Sequence, residues 1–109
     1  MNCKILSIPP FDKQLKRLIK KYPSLKKEYI TLLDELENAP KKGTDIGKNC
    51  YKIRLAIKSK GKGKSGGARV ITNFLVKNNI VYMLSIYDKS EKENLIDNEL
   101  SQLLKHTFN

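Results

Sequence analysis

Three strand-length runs follow one another between residues 50 and 87, and that stretch restricts the fold more than any other feature of the chain. Over residues 50–58 the side chains alternate: Tyr51, Ile53, Leu55 and Ile57 fall on one side, and Lys52, Arg54, Ala56 and Lys58 on the other. A period of two predicts a half-buried strand with a basic outer face. Residues 59–67 are mostly glycine and lysine and suit a loop. Residues 68–77 form a second run, Asn78-Asn79 is a turn that tolerates positive φ, and residues 80–87 form a third, nearly all apolar, expected inside the sheet. Such a meander needs a layer to cover its apolar face.

The first half of the chain supplies that layer. Residues 2–8 read as a short strand, stopped by Pro9-Pro10, which cannot donate to a ladder. Phe11, Leu15, Leu18, Ile19 and Tyr22 then recur at helical spacing. Pro23 breaks that helix and can open a second, with Ser24 placed to satisfy an orphan N–H. Leu25, Tyr29, Leu32, Leu33 and Leu36 make its stripe, closed by Asn38-Ala39-Pro40. Residues 41–49 read as a polar loop. Ser90 and Glu93 have capping-box spacing ahead of Leu95, Ile96, Leu100, Leu103 and Leu104, so a C-terminal helix is expected. The predicted fold class is α+β, in the order β-α-α-β-β-β-α, with an antiparallel sheet packed on an N-terminal helical hairpin. Residues 1–109 are expected to form a single domain.

No apolar stretch approaches the roughly 20 residues of a membrane span, and no leader pattern precedes the first helix, so a soluble cytoplasmic protein is expected. Cys3 and Cys50 are then read as reduced thiols. His106 is the only histidine, which leaves a histidine-centred metal site or nucleophile pair little to work with. No metal or cofactor is expected.

The charge is the informative quantity: 22 basic residues against 11 acidic give a net +11. It is also polarised, with ten basic and one acidic residue in 41–69 but three basic and five acidic in 88–105. A solubilising surface would mix the signs, so this concentration predicts a face that holds a polyanion, RNA foremost. The basic patch at residues 13–27 is read as a solvated helix face. Gly61-Lys62-Gly63-Lys64-Ser65-Gly66 matches a dinucleotide fingerprint, and Gly63-Lys64-Ser65 a triphosphate loop, but each needs a helix next and a strand follows. A glycine loop with Lys58, Lys60, Lys62 and Lys64 is better read as an electrostatic clamp for phosphates.

Residues 50–55, the Ser65-Gly66-Gly67-Ala68-Arg69-Val70 segment, and the apolar strand ending Tyr87-Asp88-Lys89-Ser90-Glu91 together resemble RelE-type toxins of bacterial toxin-antitoxin modules. The long glycine-lysine loop and the run at residues 92–95 are most similar to the HigB-like branch. The resemblance implies a ribosome-dependent endoribonuclease that cuts mRNA and stops translation until a cognate antitoxin binds it, with operator DNA as a further partner of the complex. It places Lys52 and Arg54 on the family's paired basic positions, Arg69 on the arginine opening the next strand, and Lys89 on the lysine after the last strand. The prototype has an arginine where this chain has Ser90, and a tyrosine where the nearest position is Ile96.

RNA can be cut without metal when its own 2′-OH attacks the adjacent phosphorus, which requires a base, cations for the phosphorane and a proton donor for the leaving oxygen. Lys52 is the candidate base, because neighbouring cations favour its neutral form. Arg54 and Arg69 suit the phosphate through bidentate hydrogen bonds. Lys62 and Lys64 reach flanking phosphates, Lys89 protonates the leaving group, and Tyr87 is read first as a buried aromatic at the strand end, with stacking on a base or donating its hydroxyl as the alternative. Two rivals remain: a gyrase inhibitor of the same architecture, like the ParE toxins, and a module that binds RNA or ribosomes through the same basic face without cutting.

Overall fold

The computed structural model describes residues 2–61, 66–92 and 97–107. Its elements are β1 (Lys4–Ser7), α1 (Pro9–Lys21), α2 (Leu25–Asn38), β2 (Thr44–Gly47), β3 (Cys50–Leu55), β4 (Ala68–Leu75), β5 (Ile80–Asp88) and α3 (Asp97–Leu104), with single 3-10 turns at Lys58–Lys60 and Val76–Asn78. The five strands form one sheet in the order β1-β5-β4-β3-β2. Strands β2 to β5 pair antiparallel in sequence order, and β1 joins β5 in parallel. The α+β class and the helical hairpin are as expected, but the sheet is mixed rather than antiparallel. A parallel neighbour needs a long connection, and the whole of the chain between β1 and β5 provides it.

Strand β2 lies in what the sequence presents as a loop. Thr44-Asp45-Ile46-Gly47 has one large apolar residue and little strand propensity of its own, so pairing with Lys52 and Tyr51 on β3 creates it. Lys48 and Asn49 both take positive φ, of 55° and 60°, which fits the tight hairpin between β2 and β3. Asn79 is also left-handed, as expected at the β4–β5 turn.

Helix α1 begins at Pro9, not Phe11: Pro9 and Pro10 occupy its first turn, where the missing N–H costs nothing, and the Ile8 carbonyl accepts the Asp12 N–H. Ser24 at the start of α2 makes no side-chain cap. Its hydroxyl instead donates to Glu28 (3.1 Å) and accepts the Ser59 N–H (2.9 Å), while Glu28 accepts the Lys58 N–H (2.9 Å). The start of α2 thereby holds the 3-10 turn that follows β3.

One apolar core joins the hairpin to the sheet through Phe11, Leu18, Leu25, Leu32 and Leu36 on the helices and Ile53, Val70, Met83 and Ile86 on the strands. Beyond the end of the β1–β5 pairing, the Gln14 side-chain carbonyl accepts the Ile86 N–H (3.0 Å) and the Ser85 hydroxyl (3.2 Å), so α1 continues the work of β1. Cys3 and Cys50 are buried free thiols whose pKa burial pushes up, which makes them inert packing groups. Among the described residues no helix is long and apolar enough to cross a membrane.

Candidate functional site

The register of the sheet brings the sequence-predicted residues together. Arg54 on β3 lies directly opposite Arg69 on β4, and Arg69 directly opposite Tyr87 on β5. Lys52 stands two residues from Arg54 on the same side of its strand, while Ile53 and Val70, with the alternate parity, enter the core beneath the helices. The face turned away from the hairpin therefore carries a row Arg54–Arg69–Tyr87 with Lys52 beside it. Like charges opposed on neighbouring strands cost stability, so such a row suits an anion. Lys89 follows β5 directly, and its N–H donates to the Gly67 carbonyl (3.0 Å), which fixes it beside the start of β4.

Exposure falls along the row. Arg54 is exposed, Lys52 and Lys89 are half-buried, and Arg69 and Tyr87 are only 4% and 5% exposed. Among the described residues after β5, the Lys92 ammonium lies 5.8 Å from the Tyr87 ring, Leu100 of α3 is buried in the core, and Ser101 accepts a hydrogen bond from Lys48 at the far end of β3 from Arg54. Arg69 donates to the Ala68 carbonyl (3.1 Å).

The lysines of the glycine loop do not act as one set. Lys58 is exposed. Lys60, expected to meet phosphate, is turned toward the helix hairpin: its ammonium donates to Asp88, to the Gly66 carbonyl (3.0 Å) and to the Ser90 hydroxyl (3.1 Å), and it sits 5.8 Å from the Tyr22 ring. An ammonium has three donors, and these partners take all of them. Lys62 and Lys64 lie outside the described residues, as do Glu93, Leu95 and Ile96.

One basic residue absent from the sequence-level site is Lys42. The segment leading into β2 brings it beside β3, where Lys42, Lys52 and Arg54 line a groove of about 240 Å³ together with Gly43, Thr44 and Ile53. The Lys42 ammonium is 3.8 Å from the exposed Glu35, a loose pair that leaves it able to turn. The only signal for it in the sequence is its membership of the basic stretch, because β2 is itself not legible there. Among the described residues no group of three metal-ligating side chains clusters.

The chain's overall fold is similar to that of a mutant of the E. coli toxin RelE in the free state, with a TM-score of 0.66 at 16% identity, covering 99% of this chain and 100% of that one. The family model described as the RelE toxin of the RelE/RelB toxin-antitoxin system matches residues 11–108, so the chain belongs to the RelE toxin family.

Proposed function

We propose that this RelE-family toxin is a ribosome-dependent endoribonuclease of the HigB-like branch, cutting mRNA without a metal and neutralised by a cognate antitoxin. The observation that carries the reading is the convergence of Lys52, Arg54, Arg69 and Tyr87 on one face of the sheet, with Arg54 and Arg69 directly opposed. A phosphodiester laid across β3 and β4 meets two guanidinium groups, which stay charged through the reaction and stabilise the phosphorane. Lys52 takes the 2′-OH proton, and Lys89 protonates the 5′ oxygen as it leaves. Arg54 and Lys52, the more exposed of the row, meet the RNA first, and Arg69 and Tyr87 lie deeper beside them.

Mapping mRNA ends in cells after induction tests the reading. Discrete cuts within translated codons, abolished by Lys52→Ala, are expected. Intact messages in cells that stop growing would favour a target other than mRNA.

A further inference from the structure

Asp88 lies between two residues of the site, Tyr87 and Lys89, yet its own side chain is on the opposite, helical face and is fully buried. Its carboxylate accepts four hydrogen bonds: from the Lys60 ammonium, the Tyr22 hydroxyl (2.6 Å), the Ser90 hydroxyl (2.7 Å) and the Ser90 N–H (2.9 Å). Each partner comes from a different place in the chain. Tyr22 ends the first helix, Ser90 follows β5, and Lys60 precedes the glycine connection whose far end, Gly66, it also holds. From Gly66 the chain passes to Gly67, whose carbonyl fixes Lys89, and then within two residues to Arg69. The segment after Asp88 is fastened a second time, where Glu91 accepts Arg17 (2.9 Å) and Lys21 (3.4 Å) of α1.

We propose that Asp88, Lys60 and Tyr22 form a positioning clamp that sets Lys89 and Arg69 in register for RNA cleavage, without touching the RNA. The inference rests on the nuclease reading above. A clamp matters there because Lys89 lies past the end of a strand, tied to β4 by the Gly67 bond, and shares that corner of the sheet with Arg69, which is paired on both sides. A displacement of about 1 Å in a reacting group costs on the order of 100-fold in rate. Burial by itself would raise the Asp88 pKa, but the bonds from Lys60, Tyr22 and Ser90 outweigh it and hold the carboxyl well below the usual carboxylate range. The Asp88 carboxyl therefore stays ionised across the physiological pH range.

The test is single-turnover cleavage of ribosome-bound mRNA at saturating toxin, with ribosome affinity and Tm measured on the same preparations. Lys60→Met leaves a buried carboxylate without its cation and lowers both Tm and rate. The double variant Lys60→Met/Asp88→Asn removes both charges, so Tm recovers most of the loss, while the rate stays at least about tenfold below the parent because the tethers to Gly66 and Ser90 are gone. Tyr22→Phe, which loses one hydroxyl, is expected to slow cleavage severalfold with ribosome affinity unchanged. A rate that recovers along with Tm in the double variant, or parental cleavage by Tyr22→Phe, overturns the clamp. No cleavage by the unmodified protein overturns the nuclease reading and the clamp with it, which separates the two failures.

Discussion

Asp88 is the residue whose surroundings make the sharpest thermodynamic statement. Its folded pKa is depressed by the bonds it accepts, so its contribution to stability is fully present above the unfolded value of about 3.9 and is lost as pH falls below it. Urea unfolding of the parent and of Asp88→Asn should show a constant gap from about pH 5 to pH 7 that narrows below about pH 4. A gap that closes above pH 5 would mean that burial, not hydrogen bonding, decides the charge state. Gly67 gives a second prediction of the same scale. A Cβ there would sit 2.2 Å from the Leu55 carbonyl oxygen, which belongs to the backbone and has little room to give. Gly67→Ala should therefore destabilise by about 2–4 kcal/mol in the same unfolding measurement. The glycine-rich stretch reads in the sequence as flexibility for phosphate binding, whereas Gly67 is needed for close approach of β3 and β4. Lys60 taught the same lesson: a lysine in a basic loop looks like a ligand for phosphate until Asp88, 28 residues away, is placed beside it.

Elements were legible wherever their own pattern was strong. The stripes of α1 and α2 and the alternation of β3 needed only the spacing of apolar side chains, and the Asn78-Asn79 turn only the tolerance of asparagine for positive φ. Strand β2 was hidden because a partner, not its composition, makes it a strand, and the placement of β1 was hidden because nothing local records a parallel neighbour 76 residues on, as between Lys4 and Ile80. The row Arg54–Arg69–Tyr87 was foreshadowed strand by strand, but its direct opposition depends on register. Helix α3 has eight residues, with Leu100 as its one buried apolar side chain among those described, and is too short to be stable by itself. Its backbone amides should exchange with solvent faster than those of β4 and β5, as hydrogen exchange followed by mass spectrometry would show. Protection in α3 equal to that of the central strands would contradict this.

At the scale of the whole molecule, the charge and the fold divide the labour. One face of the sheet is committed to the helical hairpin and the core, and the Asp88 clamp lies on that side. The other face carries Lys52, Arg54, Arg69 and Tyr87, and at its edge Lys42 joins Lys52 and Arg54 around a groove, a set of cations that draws a polyanion. The account stands on the claim that this second face cuts RNA. Its most direct test is to incubate the purified protein with ribosomes programmed with a defined mRNA, and to compare the parent with Lys52→Ala and Arg54→Ala. The account predicts fragments ending in a cyclic phosphate and a 5′-OH, a rate at least about 100-fold lower in both variants, and Tm values within a few degrees of the parent. Intact mRNA with the parent, or parental cleavage by both variants, would contradict it.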